Sequence, residues 1–282
     1  MRGFAFALGA ATILNAVANW KGSAFGVNLR TRAYVELDGS EGIQGLVPDV
    51  DNRLIVRAVE LTLQRYGLTC GGTVRTKSEI PVASGLKSSS AAANAAVLAT
   101  LDALGQELDL LEAARIGVQA ALEVGVTITG AFDDACASML GGVVVTDNRE
   151  KALLHRVEMD SSVLLLVPEE RAFSSQTDVT RSRLMSPLAD LAFELALKGD
   201  FRRAMTLNGL LYCAALKRPT EPSVLALAAG ASAASLSGTG PSYAALVDGD
   251  SLDDVRSAWE DLGGRVIKTE INNQGASRGR GI

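Results

Sequence analysis

Proline, glycine, a lysine and three consecutive hydroxyls stand directly ahead of an alanine-rich run in Pro81-Val82-Ala83-Ser84-Gly85-Leu86-Lys87-Ser88-Ser89-Ser90-Ala91-Ala92-Ala93-Asn94. Such a string must deliver the chain into a helix start. There the first backbone N–H groups lack intrahelical acceptors and sit at the positive end of the helix dipole, which makes them a cradle for an anion. Small side chains let the backbone come close, and serine hydroxyls can bind the anion or its magnesium. The spacing departs from the P-loop, because Leu86 separates Gly85 from Lys87 and no second glycine lies at the required distance. The bland reading of the same residues is a serine-capped helix.

The chain has 282 residues, enough to bury a substantial core as one large domain or two intimately packed ones. A net charge of −5 and the lack of a basic cluster with interleaved aromatics give no reason to expect nucleic acid or an anionic membrane as partner. Cys70, Cys136 and Cys213 are far apart among apolar residues, which suits buried thiols in a reducing cytosol. The one histidine, His155, lies in an alternating strand-like stretch and is read as structural. No apolar run reaches the ~20 residues of a membrane span, and the N-terminus lacks the regions of a signal peptide. A soluble cytoplasmic protein, monomer or homodimer, is expected.

Apolar runs predict strands at Gly3 to Leu8 and Gly26 to Leu37, flanking a functional loop from Gly9 to Ser23. Helical spacing covers Asp51 to Tyr66, and Gly72 to Ile80 reads as the strand leading into the serine loop. Two helices follow, Ala91 to Leu104 and Leu110 to Val124, then a short helical segment opening at Gly130-Ala131-Phe132-Asp133-Asp134. Strands are predicted at Gly142 to Thr146 and Ser162 to Val167, then a polar segment from Arg171 to Ser186. Beyond it come helices near Leu188 to Lys198, Phe201 to Leu216 and Val224 to Ala231. Strand, glycine turn and strand occupy Ala234 to Val247, before a last helix and strand. The whole reads as an α+β chain with a boundary near residue 150.

Pro-x-x-x-Gly-Leu-x-Ser-Ser resembles the second signature of the GHMP kinases, and Ser237-Gly238-Thr239-Gly240-Pro241-Ser242 resembles the third. Ser-Gly-Leu-Lys-Ser-Ser-Ser-Ala, Gly-Ala-Phe-Asp-Asp-Ala-Cys-Ala-Ser and Lys21-Gly22-Ser23-Ala24-Phe25-Gly26 together resemble one member family, the archaeal shikimate kinases. The resemblance implies a GHMP fold of two packed α/β subdomains, residues 1–150 and 151–282, with the active site in the cleft between them. It implies transfer of the ATP γ-phosphoryl group to the 3-hydroxyl of shikimate. Asp133 would take the hydroxyl proton, Lys21 would steer it or the phosphoryl group, and Ser89 with Glu123 would hold Mg2+. Pro81, Ser84, Gly85, Leu86, Lys87, Ser88, Ser89, Ser90, Gly238, Thr239 and Gly240 would bind ATP. A carboxylate-bearing acceptor needs cations and neutral donors, for which Arg181, Arg183, Thr12, Asn15 and Asn19 are candidates.

Other readings stay open at this point. Homoserine kinase shares the Ser-Gly-x-Gly-Pro element but usually lacks an acidic base. A GHMP-fold protein can also be a sensor that binds without turnover. From a different class, Ser84-x-x-Lys87, Thr146-Asp147-Asn148 and Lys268-Thr269-Glu270 approximate the three motifs of serine acyl-transfer enzymes, although Glu270 stands where glycine is needed.

Overall fold

The computed structural model describes residues 1–170 and 178–279. Residues 171–177 of the polar segment therefore lie outside the described residues. The chain opens with β1 (Arg2–Leu14) and β2 (Lys21–Asp38), followed by β3 (Ile43–Gly45), α1 (Arg53–Arg65) and β4 (Gly71–Ser78). Helices α2 (Ser88–Leu104), α3 (Leu110–Glu123) and α4 (Phe132–Leu140) come next, then β5 (Val143–Asp147), β6 (Ala152–Val157) and β7 (Ser162–Val167). A 3-10 turn (Thr180–Met185) leads into α5 (Ser186–Leu197), α6 (Phe201–Leu216) and α7 (Glu221–Ala228). The chain continues through β8 (Ala233–Leu236), β9 (Tyr243–Val247), α8 (Leu252–Glu260), β10 (Arg265–Glu270) and the short β11 (Ser277–Arg278).

Two sheets result. The first runs β11-β1-β2-β4-β3, with β5 also on β2 and β6 on β5, and the second runs β10-β7-β9-β8. Strand β2 is long enough to serve two partners on one edge: residues 21–25 pair with β5 and residues 31–38 with β4. Both β6 and β11 belong to the first sheet, so the sheets do not divide the chain cleanly at residue 150.

The predicted loop from Gly9 to Ser23 is a correction: β1 continues to Leu14, β2 begins at Lys21, and only residues 15–20 connect them. The reason is burial on both faces. Residues Ala5, Ala7 and Ala10 face a core shared with α1 to α4, whereas Ala11, Ile13, Phe25 and Val27 face a second core shared with α5, α6 and the second sheet. A strand covered on both sides carries no polar alternation to read. A third core fills the outer face of the second sheet: Leu164 and Leu166 point into it, packed on Tyr212, Val255 and Trp259, while Val163 and Leu165 point back into the second core.

Helix α2 is the central element. Eleven of its residues are buried, as expected of a helix apolar on every side. Its alanines let backbones approach, and a Cβ at Gly3 of β1 would lie 2.0 Å from the Ala99 carbonyl oxygen. Asn94 ties α2 to α4 by donating to the Ala135 carbonyl at 2.9 Å. The three cysteines are free; Cys136 and Cys213 are buried as expected, but Cys70 is half-buried. His155 is exposed on β6.

Gly3→Ala tests this contact: the added methyl overpacks β1 against α2 and should destabilise the fold by about 1–3 kcal/mol. Urea unfolding would show a lower midpoint at unchanged slope; an unaltered midpoint would mean that the two backbones can separate freely.

Candidate active site

The serine loop enters α2 through Lys87, whose backbone is left-handed (φ 66°) and supplies no side-chain cap. The first-turn amides of Ser88, Ser89 and Ser90 therefore face outward without a capping partner from Lys87. Ser89 is exposed, while Pro81, Ser88 and Ser90 are half-buried. Leu86 differs from the expectation: its side chain is wholly buried in the second core, so only its backbone belongs to the loop. Ser84 is buried too, and its hydroxyl donates to the Pro81 carbonyl at 2.8 Å, which shapes the turn.

The loop rests on the C-terminal glycine segment. Gly85 has φ 83°, and a Cβ there would meet the Ser237 carbonyl oxygen at 2.3 Å. Ser237 Oγ donates to the Gly85 carbonyl at 2.8 Å, and the Ser242 N–H donates to the Ser84 carbonyl at 3.1 Å. Gly238 leaves room for the Lys87 ammonium, which would lie 2.8 Å from a Cβ at that position. Thr239 is buried in the same turn, and Gly240 completes it with φ 81°.

Thr12 and Asn15, read from the sequence as candidates for acceptor hydroxyls, bond to the glycine turn. Thr12 is buried and its hydroxyl oxygen accepts the Gly238 N–H at 2.9 Å, while Asn15 Nδ2 donates to the Gly238 carbonyl at 2.8 Å. Asn15 is braced in turn by Asn208, which accepts its N–H at 2.9 Å, and by the Tyr212 hydroxyl, which donates to its carbonyl at 2.8 Å. Both residues position the glycine turn.

At the other side of the loop, α4 begins after Ala131 (φ 48°) with Asp133 and Asp134 in its first turn, where carboxylates suit the helix dipole. Asn148 grips Asp133 twice: its Nδ2 donates to Asp133 Oδ1 at 2.7 Å, and its Oδ1 accepts the Asp133 N–H at 3.2 Å. Thr146 Oγ1 donates to the same Asn148 oxygen at 2.7 Å, which fixes the amide orientation. Gly22 lines the carboxylate, for a Cβ there would sit 2.6 Å from Asp133 Cγ. Lys87 Nζ lies 3.0 Å from Asp134 Oδ1, and both side chains are about nine-tenths buried. Burial and the Asp134 charge push the Asp133 carboxyl up to about 7, against the opposing pull of Lys87 and Asn148.

Lys21 is held differently from the expectation. It forms an ion pair with Asp147 across the β2–β5 pairing, and its ammonium lies 5.6 Å from the Phe193 ring. Although burial acts upward on Asp147, the bond from Lys21 and the backbone N–H donors of Glu150 and Arg149 hold its carboxyl below the usual range. Glu123 ends α3, and its oxygens accept from Gln119 Nε2 at 2.6 Å and Arg57 Nε at 2.5 Å. Oxygen donors suit Mg2+, which commonly uses one or two carboxylates plus the phosphates of its nucleotide. Both Glu123 oxygens are thus engaged by neighbours on α1 and α3 in the structure. Among the described residues no cluster of three His, Cys, Asp or Glu side chains forms a ready-made metal cage.

A cavity of about 600 Å³ is lined by Asn19, Trp20, Thr129, Arg149, Arg183 and Asp190, among others, and touches the chain next to Asn148 and Lys21 through Arg149 and Trp20. Arg183 and Asn19 both line it, whereas Arg181, exposed like Arg183 on the 3-10 turn, does not. Asn19 Nδ2 donates to Asp190 Oδ1 at 2.7 Å. Another cavity, about 490 Å³, lies at the opposite end of α2 near Arg278, remote from the serine loop. The residues missed by sequence reasoning are Asn148, Arg149, Thr129 and Asp190, with Lys87 as the partner of Asp134. Asn148 had been visible only inside the acyl-transfer motif. That alternative fails on geometry: the Ser84 hydroxyl is buried on Pro81, Lys87 is committed to Asp134, and Lys268 lies on β10 of the other sheet.

Comparison with known proteins places this geometry. Residues 53–142 match the profile described as GHMP kinases N terminal domain, and residues 192–264 match GHMP kinases C terminal. A shikimate kinase of Methanothrix thermoacetophila is 65% identical over 280 residues, covering 99% of this chain and 97% of that protein. One from Methanosarcina mazei is 60% identical, covering 98% and 96%. Among solved structures, the Methanococcus jannaschii mevalonate kinase superposes with a TM-score of 0.76 over 96% of this chain and 98% of its own, at 14% identity. That likeness concerns the fold.

Asp133 binds a proton more tightly folded than unfolded. Its contribution to stability is therefore fully present below its unfolded value near 4, and is lost as pH rises through about 7. Asp133→Asn removes that loss, so thermal unfolding should rise by about a few °C at pH 8 relative to wild type and much less at pH 5. Equal shifts at both pH values would show that the fold does not raise the proton affinity of this carboxyl above its unfolded value.

Proposed function

The chain belongs to the archaeal shikimate kinases of the GHMP superfamily, and from that membership we propose that it transfers the γ-phosphoryl group of ATP to the 3-hydroxyl of shikimate. The observation that carries the chemistry is a buried carboxyl, Asp133, with its affinity for protons tuned to about 7 beside an uncapped helix start. Phosphoryl transfer needs positioning and charge neutralisation more than covalent assistance. The amides of Ser88 to Ser90 stabilise phosphate oxygens, and the Lys87 ammonium adds its positive field to the loop while paired with Asp134. Asp133 accepts the hydroxyl proton as the new P–O bond forms, and Asn148 keeps the receiving carboxylate from rotating. Ser89 and Glu123 would hold Mg2+, which would supply charge neutralisation at the phosphates; Glu123 is bonded to Arg57 in the structure. Lys21 acts at one remove, by fixing Asp147 and the turn that follows it.

The two matched regions support a reading of two packed subdomains, residues 1–150 and 151–282, with β6 and β11 of the latter returned to the first sheet. The buried Asp133 argues against a non-catalytic sensor, because desolvating a carboxyl beside Asp134 costs stability that a site with no proton to accept has no use for.

ADP release by the purified protein with Mg-ATP, measured against shikimate, homoserine, mevalonate and galactose, tests the reading. Turnover with shikimate alone is expected. Preference for another acceptor removes the assignment, and ATP binding with no turnover on any of them supports a sensor. Within that assay, Asn148→Ala removes a hydrogen bond that favours the ionised base. The acid limb of kcat/KM should then move up by about one pH unit, with kcat lower by roughly tenfold to a hundredfold at pH 7. An unmoved limb would separate Asn148 from the titrating group.

A further inference from the structure

The cavity of about 600 Å³ is lined by two exposed arginines, Arg149 and Arg183, and Arg149 directly follows Asn148, the residue that grips Asp133. Arg2, Arg32, Arg57, Arg115, Arg218 and Arg278 each form an ion pair, but among the described residues neither Arg149 nor Arg183 does. Arg149 instead lies 5.7 Å from the Trp20 ring. Trp20 is a bulky residue in the left-handed region (φ 67°), a strained conformation of the kind that collects at functional sites. Its carbonyl accepts the Asn148 N–H at 2.8 Å, so the strained residue supports the turn from which Arg149 projects. Asp147 Oδ1 closes that turn by accepting the N–H groups of Arg149 at 3.0 Å and Glu150 at 3.2 Å. The same cavity contains the Asp190 carboxylate, with one oxygen engaged by Asn19, and the Thr129 hydroxyl.

We propose that Arg149 and Arg183 form a clamp for the carboxylate of the acceptor, and that Arg149 is the residue by which this chain prefers a hydroxylated acid over a neutral polyol. The inference rests on the kinase reading and deepens it. Two free guanidinium groups offer planar, forked donors to one carboxylate. Asp190 and Thr129 offer an acceptor and a hydroxyl to the other end of a polyhydroxylated ring. The anchor also sets which hydroxyl reacts. Arg149 follows Asn148 in the chain, and Asn148 holds Asp133, so one braced turn carries an arm of the clamp and the residue that orients the base. A ring fixed by its acid group presents one hydroxyl to the base and keeps the others away from it.

The test compares shikimate with its neutral carboxamide on wild type, Arg149→Met, Arg149→Lys and Arg183→Met. Wild type should favour the acid by about a hundredfold in kcat/KM. Arg149→Met should raise KM for shikimate by about a hundredfold, leave KM for ATP and Tm unchanged, and abolish the preference for acid over amide. Arg183→Met should act in the same direction, and Arg149→Lys should recover part of the preference because it restores charge without the fork. A wild type that phosphorylates shikimate and its amide equally well, or an Arg149→Met protein that keeps the wild-type preference, overturns the clamp. If Arg149→Met lowers Tm, the Arg149→Lys and Arg183→Met ratios decide. Absence of shikimate turnover by wild type would instead remove the kinase assignment, a separate outcome.

Discussion

The ion pair between Lys87 and Asp134 is the contact on which the site depends. It joins the last residue before α2 to the first turn of α4, and both partners are largely withdrawn from water. Removing either would leave a buried charge without compensation, a loss several times larger than that of a surface pair. The pair also sets the character of the base. Asp134 raises the proton affinity of Asp133 and Lys87 lowers it, so the conformation of the phosphate loop and the ionisation of the base are parts of one electrostatic arrangement. A loop that lifted away would take its cation with it and leave two adjacent carboxylates facing each other.

Close backbone packing makes that arrangement fit. Gly3 against α2, Gly22 against Asp133, Gly85 against Ser237 and Gly238 against Lys87 are all positions where a Cβ would collide. Two of them, Gly85 and Gly238, also have positive φ, so glycine is required there twice over. Space kept empty is thus a component of the site, alongside its charged groups.

The elements with strong local signatures were legible. The helical spacing of α1, the Gly105 stop of α2, the serine string and the paired aspartates of α4 all lie within short windows, and the structure places them as the residues imply. β1 and β2 were harder, because burial on both faces erased the alternation that marks a strand. The rest of the site depends on long-range pairing. Asn148 reaches Asp133 only because β5 lies on β2 and α4 precedes β5, and nothing local to residues 146–149 announces it. Thr12 and Asn15 illustrate the converse difficulty. Short polar side chains beside a glycine turn are equally suited to gripping a ligand or bracing the backbone, and only the observed partner, Gly238, separates the two.

Strand β2 acts as a gauge between the two halves of the reaction. Residues 21–25 carry β5, which leads into Asn148 and its grip on Asp133, and residues 31–38 carry β4, which feeds the serine loop. Between those portions the pairing with β1 shifts from Leu8↔Arg30 to Gly9↔Val27, which leaves Asn28 and Leu29 as a bulge in the strand. The strand is hydrogen-bonded on both sides of that bulge, so losing or gaining one residue within either portion would turn its later side chains to the opposite face. Divergence toward larger or smaller acceptors must therefore be accommodated in the connections at residues 15–20 and 124–131, while the gauge itself stays fixed.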